Sequence, residues 1–277
     1  MQLWKVFASD RLALAGLVIV AVVSAIAIFA PWISPSDPTA GVGADRLLPP
    51  LEKGHLLGTD GLGRDVLSRL IWGSRMSLAI GIVPTAIAFL ISLPLGLVAG
   101  YFLGWVGEGI MRTLDVFLAF PMVLLGLAIV SVLGGGVLNV MIAIVVIELP
   151  YMSRLVYTET SLIRQKDFIT AAKVSGSGTS RIIYREVLPN VLGSLVAYST
   201  TIIGGMIVIG AGFSFLGIGI KPPTPDWGIM TAEGRAVLET SPHISIVPGI
   251  TIIIVSLAFN WIGDGLRLAA DPRRRVG

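Results

Sequence analysis

Six long apolar runs limit the folds that this chain can adopt more than any other feature of the sequence. The first run, residues 12–33, has 22 residues and no charged side chain. In a helix, at about 1.5 Å per residue, it reaches roughly 33 Å, which is enough to cross a hydrocarbon core about 30 Å thick. The other runs lie at residues 77–103, 114–133, 137–153, 191–217 and 244–263.

The composition agrees with a chain of membrane helices. Charged residues make up 13% of the 277 residues and hydrophobic residues 54%, whereas soluble domains carry roughly 25% charged residues. Lipid offers the backbone no partners, so each span is expected to be helical; a barrel would show short alternating segments. We therefore predict an all-α integral membrane protein with six transmembrane helices. A cleaved signal peptide is the alternative for the first run, although signal h-regions usually have only about 7–15 residues.

The distribution of basic residues predicts the orientation in the membrane. If the six spans alternate, thirteen of the 20 Lys and Arg residues fall on one side and seven on the other. The positive-inside rule makes the first side cytoplasmic, so both termini and residues 154–190 are expected there. The outer segment 34–76 carries five basic residues interleaved with acidic ones.

An apolar stripe would run along residues 63–78 if this segment were helical. We predict an amphipathic helix there, lying at the membrane interface ahead of the second span. The chain then divides into residues 1–76, which hold the amino-terminal tail, the first span and this outer loop, and residues 77–277, the transmembrane core. The stripe consists of Val66, Leu67, Leu70, Ile71 and Leu78.

A second outer segment, residues 218–243, contains the sequence KPPTPDWG. Its three prolines restrict the backbone. The segment therefore suits either a fixed surface presented to another molecule or a simple rigid connector.

The sequence lacks the motifs of nucleotide-binding and catalytic sites. The pattern G-x-x-x-x-G-K-[ST] does not occur, and the glycine-rich stretches SGSGTS (175–180) and GTDGLGRD (58–65) lack the strand and helix context of a phosphate-binding loop. Cysteine is absent, and the two histidines, His55 and His243, are expected at a surface or interface, with metal binding as the alternative. We predict a chain that is not an enzyme, binds no cofactor and cannot hydrolyse ATP alone.

Three ionisable residues lie near membrane depth: Asp115, Glu148 and Asp264. Such groups are candidates for function by default. All three are close to the ends of the predicted spans, so we interpret them as helix-end anchors rather than a proton relay. This interpretation disfavours a proton-driven secondary transporter.

A polar segment, DFITAAKVSGSGTSRIIYREVLPN (residues 167–190), separates the fourth and fifth spans. Its start can form a short helix with a small, weakly apolar face, and Gly176 and Gly178 then end this helix. Thr179 or Ser180 can cap a second helix, and Pro189 suits the first turn of the next span. The segment therefore predicts a cytoplasmic helix–turn–helix with a contact face for another protein. The face is formed by Phe168, Ile169, Ala171, Ala172 and Val174, and the charges around it by Lys173, Arg181 and Arg185.

The pattern TAAKVSG…EVLP in this segment resembles the E-A-A-x-x-x-G…I-x-L-P loop of permease subunits of bacterial ATP-binding-cassette importers. In that family the loop forms a coupling helix that docks into a groove on the ATPase subunit. Thr170 stands where the family usually has Glu, and Glu186 where it usually has an aliphatic residue. The resemblance places Ala171, Ala172, Gly176, Leu188 and Pro189 at the motif positions.

Three further blocks look like the C-type permease of the dipeptide, oligopeptide and nickel import family. They are LGTDGLGRDVLSRLIWGSRMSL (57–78), SFLGIGIKPPTPDWGIM (214–230) and FNWIGDGLRLAADPR (259–273). With the coupling loop they extend over nearly the whole chain after the first helix. His243 is a local departure, because the family pattern leads us to expect Trp at this position.

The resemblance implies a six-helix permease of the type I importer fold in the bacterial inner membrane. Its implied partners are a second, homologous permease, two ATPase subunits that bind ATP and Mg²⁺, an extracytoplasmic solute-binding protein and membrane lipid, but no nucleic acid. The substrate could be a di- or oligopeptide, or instead a nickel chelate or an opine-like molecule. A self-sufficient channel or carrier and a membrane scaffold are the rival classes.

Two sets of residues follow as candidates for function. The first set is the ATPase coupling loop, where closure of the ATPases would move the helix bundle from inward- to outward-facing. The second lies in the fifth span, where glycines permit close helix crossings or local bending near the pathway, with ordinary packing as the alternative for each glycine. The coupling set is Thr170, Ala171, Ala172, Gly176, Arg181, Leu188 and Pro189; the fifth-span set is Gly204, Gly205, Met206 and Gly210, with Gly212 nearby.

Overall fold

The computed structural model of the protein describes residues 2–270. Within this range the chain is helical apart from turns, short 3₁₀ segments and two isolated bridges. The basic residues at 273–275, predicted to be cytoplasmic, lie outside the described range. The helices are α1 (Gln2–Ser9), α2 (Arg11–Ile33), α3 (Val66–Phe102), α4 (Gly104–Leu118), α5 (Met122–Leu133), α6 (Val137–Arg164), α7 (Asp167–Val174), α8 (Thr179–Ile182), α9 (Leu188–Phe215), α10 (Trp227–Gly234) and α11 (His243–Ala270).

Aspartate side chains begin three of these helices. Asp10 accepts hydrogen bonds from the backbone N–H groups of Leu12 and Ala13 at the start of α2, at 2.9 and 3.2 Å. Asp65 accepts one from the N–H of Ser68 at the start of α3, at 2.7 Å, and Asp226 caps α10 in the same way. Each carboxylate satisfies backbone donors that have no partner within the helix.

Five described helices are long and apolar enough to cross a membrane, and the bent pair α4–α5 makes a sixth candidate. The predicted all-α fold with six spans agrees with this count. The predicted third span, residues 114–133, is wrong in detail because the chain bends by 83° between Leu118 and Met122. Pro121 lies at this bend; it has no N–H to continue the α4 ladder, and its ring would clash with a carbonyl one turn back.

The segment predicted as a separate interfacial helix is the first part of α3, which runs without a break for 37 residues. Of the polar side chains on this stretch, Arg75 is exposed, but Ser68 is 0% and Arg69 is 1% exposed. Ser68 and Arg69 pack against segments outside the spans, so these two polar residues face protein rather than water. The interpretation as an interfacial amphipathic helix is therefore not what the structure shows.

The long helices pack at close range through small residues. α3 and α6 run in the same direction, because Thr85 pairs with Glu148 and, further along both helices, Gly96 lies against Val156. A Cβ atom on Gly96 would come within 2.4 Å of the Val156 Cβ atom. A glycine is therefore required where these two helices approach most closely.

The loops collect at two opposite ends of the bundle. At one end residues 167–190 connect α6 with α9, and we call this segment the bracket. At the other end residues 34–65 and 217–242 lie together, joined by an ion pair between Arg64 and Glu233. We call these two segments, with α10, the cap.

Candidate functional site

The bracket is a helix–turn–helix, as predicted. Helix α7 ends at Val174, and Gly176 follows with a φ of +77°. The N–H of Ser177 donates to the Ala172 carbonyl and the N–H of Gly176 to the Lys173 carbonyl, both at 3.0 Å. This pair of bonds is the Schellman motif, which favours glycine because other residues are strained at positive φ.

The second helix of the bracket begins one residue earlier than its predicted caps require. Gly178 occupies the N-cap position with extended backbone, and no side chain caps the helix. The prediction that Thr179 or Ser180 caps α8 is therefore wrong, since both residues already lie within the helix.

Pro189 lies in the first turn of α9, as predicted. However, α9 continues from the preceding helical segment and is not a separate helix. A π turn over Ile183–Val187 joins α8 to α9, and the N–H of Leu188 donates to the Ile183 carbonyl, five residues back. A proline ring clashes with the carbonyl four residues before it, and a π turn is wider than an α turn. The helix therefore passes from residue 179 to residue 215 despite the proline.

The bracket has one face inside the protein and one outside. Ile169, Ile182 and Val187 are at most 1% exposed and share a core cluster with residues of α3 and α6. Phe168 and Val174, by contrast, are 41% and 84% exposed. The predicted contact face included Ile169, which the structure places in the core. Thr170, Ala171, Gly176, Arg181 and Pro189 are exposed, whereas Ala172 and Leu188 are half-buried.

The charged residues around the bracket are divided between two roles. Arg181 and Arg185 are exposed on its second half. The Lys173 ammonium lies 5.7 Å from the centre of the Tyr101 ring, and the Arg164 guanidinium 5.8 Å from it. The Lys173 contact fastens α7 to the end of α3, and the Arg164 contact fastens the end of α6 to it, so Lys173 belongs partly to the scaffold.

Glu148 is the main correction among the ionisable residues. It lies within α6 rather than at a span end, and it is 1% exposed. Its Oε1 accepts a hydrogen bond from the Thr85 hydroxyl at 2.8 Å, whereas Oε2 has no partner among the described residues. Asp264 is exposed, and Asp115 pairs with Arg154 at the surface. The apolar spacing that continues beyond Pro150 to Ile163 is the signal that could have revealed the longer helix.

A cavity of about 160 Å³ adjoins Glu148, between α5, α6 and α9. Met206, one of the predicted fifth-span residues, lines it and is 2% exposed. The other lining residues are Met122, Ile147, Tyr151, Tyr198 and Ile202.

The predicted glycines of the fifth span fall into two groups. A Cβ atom on Gly204 would lie 2.5 Å from the Ser256 carbonyl oxygen, and one on Gly210 would lie 2.3 Å from a methyl carbon of Ile80. These two glycines sit at helix crossings, with α11 and α3. A Cβ atom on Gly205 or Gly212 would have no neighbouring atom within 4 Å, so these two make no close crossing among the described residues.

The cap contains a buried ion network that the sequence reasoning missed. The Asp60 carboxylate pairs with Arg64 at 2.7 Å and also with Arg69, and Glu233 accepts from both arginines at 2.9 and 2.5 Å. Side chains of the first three residues are at most 5% exposed. The concentration of charges in residues 58–69 of an otherwise apolar chain is the signal that could have found it.

The two histidines both lie in or beside the cap. His55 Nδ1 is 2.8 Å from an Asp65 carboxylate oxygen. His243, at the start of α11, is half-buried against Gly58. Among residues 2–270, no group of three or more His, Asp and Glu side chains could hold a metal ion.

The proline-rich segment of the cap is anchored at its far end. The Trp227 indole N–H donates to the Leu70 carbonyl at 3.0 Å, and the Ser77 hydroxyl donates to Asp226 at 2.8 Å. Burial raises the pKa of the Asp226 carboxyl, and its hydrogen bonds oppose that rise. The segment is thus fixed to α3 on the side where α10 begins.

Comparison with known proteins identifies relatives along nearly the whole chain. The chain is 42% identical over 98% of its length to the Di/tripeptide transport system permease protein DppC of Pseudomonas aeruginosa, covering 91% of that protein. It is 39% identical, again over 98% of its length, to the Glutathione transport system permease protein GsiD of Pectobacterium atrosepticum, covering 90% of it.

The fold also matches a solved transporter. A chain of the inward-facing MetNI methionine ABC transporter superposes with a TM-score of 0.60 over 73% of this chain and 96% of its own length. At 17% identity this likeness shows the fold of an ABC transporter permease.

Family models match two parts of the sequence. Residues 1–50 match the N-terminal TM domain of oligopeptide transport permease C. Residues 92–276, well over half of the chain, match the binding-protein-dependent transport system inner membrane component. The protein therefore belongs to the family of inner membrane components of binding-protein-dependent transport systems.

Proposed function

We propose that this chain is the permease subunit of an ATP-driven importer of di- and oligopeptides. The observation that carries the proposal is the 42% identity to a di/tripeptide permease over 98% of the chain. A second, homologous permease completes the translocation path, and a solute-binding protein delivers the peptide to the cap side.

A growth experiment tests the substrate. Cells that lack this gene should fail to grow with a short peptide as the sole amino-acid source, and the gene on a plasmid should restore growth. Normal peptide use together with impaired uptake of a nickel chelate or an opine would contradict the peptide assignment.

A glutathione-type peptide is the second candidate substrate, because relatives named as glutathione permeases are 39–40% identical over 98% of the chain. Growth on glutathione as the sole sulfur source distinguishes this candidate substrate from di- and oligopeptides. Loss of glutathione use with normal growth on dipeptides would favour this candidate.

The bracket is the proposed contact with the ATPase subunits. Its outer face combines exposed apolar side chains, Phe168 and Val174, with the small Ala171 and the exposed Arg181. Large exposed apolar side chains grouped outside the spans are typical of a protein interaction site. Residues 167–190 then transmit ATP-driven closure to α9 through the continuous helix.

Leucine substitutions in the bracket turn test this coupling. Gly176→Leu adds bulk at a φ of +77°, where an L-residue costs about 1–2 kcal/mol. Gly178→Leu adds the same bulk at an ordinary φ of −66° and is the matched control. We expect the Gly176→Leu transporter to assemble but to lose uptake and stimulation of ATP hydrolysis by the loaded binding protein. Wild-type uptake by this variant would refute the coupling role.

Single cysteines test the proposed orientation, because the chain has none of its own. Thr179→Cys, in the bracket, should react with an impermeant thiol reagent only from the cytoplasmic side. Thr240→Cys, in the cap, should react only from outside; it is exposed, whereas neighbouring Ser241 is 5% exposed. The reverse pattern would overturn the orientation, with both termini outside.

A further inference from the structure

The cavity beside Glu148 lies at membrane depth. Glu148 is the twelfth of 28 residues in α6, so it lies about 17 Å along the helix from Val137. A hydrocarbon core is about 30 Å thick, which places this carboxyl group near its middle. Tyr151, one turn further on, is 41% exposed on the chain surface, so the cavity adjoins the outside of this subunit.

The groups that line the cavity favour a cation. The carboxyl group of Glu148 is accompanied by the rings of Tyr151 and Tyr198 and by the thioethers of Met122 and Met206. Aromatic faces attract cations, and thioether sulfur is a weak acceptor. No Lys, Arg or His lines the cavity, and no ion pair within residues 2–270 includes Glu148.

Glu148 also has unused hydrogen-bonding capacity. The Thr85 hydroxyl satisfies Oε1, while Oε2 is buried with no partner among the described residues. A carboxyl group with one oxygen left unpartnered is costly to hold inside a membrane, and ionisable residues at membrane depth often mark ligand pathways.

We propose that Glu148, Tyr151 and Tyr198 form a subsite for a protonated amine, the ammonium group at the amino terminus of the transported peptide. This inference rests on the proposed peptide-transport function. Every dipeptide and tripeptide, and glutathione too, carries one such ammonium group whatever its side chains. The cavity is too small for a whole peptide, so it holds this end while the remainder lies in the path between the two permeases.

Thiol labelling tests the charge preference without any peptide. Tyr151→Cys is introduced into the complete transporter, and labelling by a trimethylammonium methanethiosulfonate is compared with labelling by a sulfonate analogue. Each rate is normalised to that of a free thiol. With Glu148 present we expect a preference of roughly tenfold for the cationic reagent, and Glu148→Gln should abolish it. Glu159→Gln removes one charge elsewhere on α6 and is the matched control.

Peptide uptake per ATP hydrolysed tests the role in transport. In proteoliposomes with loaded binding protein, Glu148→Gln should lower this ratio by at least about tenfold, as expected when one partner of a buried charge pair is lost. Glu148→Asp should retain part of the wild-type uptake per ATP, and Glu159→Gln should retain all of it. Since Gln still accepts the Thr85 hydrogen bond, a purely structural role predicts no change in Glu148→Gln.

The outcomes separate this inference from the proposed function. If the wild-type complex moves no peptide, the proposed function fails, and the labelling ratio still reports on the cavity. If the complex moves peptide, an unchanged uptake ratio in Glu148→Gln overturns the subsite. Equal normalised labelling rates, or no labelling of Tyr151→Cys by either reagent, overturn it as well.

Discussion

The cap and the bracket lie at opposite ends of the same helices, and each contains a glycine with a φ of +77°, Gly63 and Gly176. Around Gly63 the chain is closely packed: a Cβ atom there would lie 2.0 Å from the Val42 carbonyl oxygen. Around Gly176 nothing lies within 4 Å of such an atom. The same backbone conformation therefore lies in a close contact in the cap and on an open surface in the bracket.

The charges of the two ends differ in the same way. In the cap, the buried Asp60 carboxylate pairs with two buried arginines, Arg64 and Arg69. In the bracket, Arg181 and Arg185 are exposed, and no ion pair of the described residues includes them. The charge network of the cap finds its partners within this chain, whereas the two bracket arginines have no ion-pair partner among the described residues.

The largest expected effect is on the ion network of the cap. Arg69→Leu should lower the free energy of unfolding by about 3–5 kcal/mol, because it leaves two carboxylates, Asp60 and Glu233, to share the single cation of Arg64 in a largely buried site. Arg112→Leu removes an exposed arginine 4.0 Å from Glu108 and is the control; an exposed pair is worth about 0–1 kcal/mol. Thermal unfolding of the purified complex measures both, and equal shifts would show that the buried network of the cap stabilises the protein no more than an exposed pair does.

Substitution of Gly63 or Gly176 should have an intermediate effect on stability. Because both residues have the same φ, the two variants can be compared directly. Gly63→Ala combines left-handed strain with a collision against a backbone carbonyl, so we expect a loss of about 3 kcal/mol. Gly176→Ala has the strain alone and should cost about 1 kcal/mol. Yield and thermal unfolding of the two variants measure the difference. A larger loss for Gly176→Ala would show that the bracket is as closely packed in the assembly as the cap.

The smallest effect is expected on the outer face of the bracket. Val174 is 84% exposed, so Val174→Ser should change the stability of the chain by no more than about 0.5 kcal/mol. Co-purification of the ATPase subunits, measured on the same sample, should nevertheless decrease. Unfolding at a much lower temperature with undiminished co-purification would contradict the division between an inner and an outer face.

The spans and the bracket could be predicted because each depends on local sequence. Runs without charge must be helical in lipid, and Gly176 ends a short helix by its own conformational freedom. The bend before Met122 was missed, because Pro121 sits inside an apolar run and hydropathy does not register it. Pro121 itself was the available signal, because a residue without a backbone N–H interrupts a helix.

The buried polar groups could not be predicted because their partners are distant in sequence. Arg69 meets Glu233, 164 residues away, and Glu148 meets Thr85, 63 residues away. A helical stripe shows which side chains lie together but not which side faces protein. The prediction of an interfacial helix over residues 63–78 therefore gave no sign that Arg69 is buried, and the interpretation of Glu148 as a helix-end anchor was wrong; both are 1% exposed.

The π turn ahead of Pro189 has a mechanical consequence. Because it preserves the helix through the proline, residues 179–215 form one rod of 37 residues, about 55 Å long. A tilt of about 5° around one end of such a rod displaces the other end by about 5 Å. If the proposed ATPase contact tilts this rod at the bracket, a small rotation near Arg181 becomes, at Phe215, a movement of nearly one helical turn.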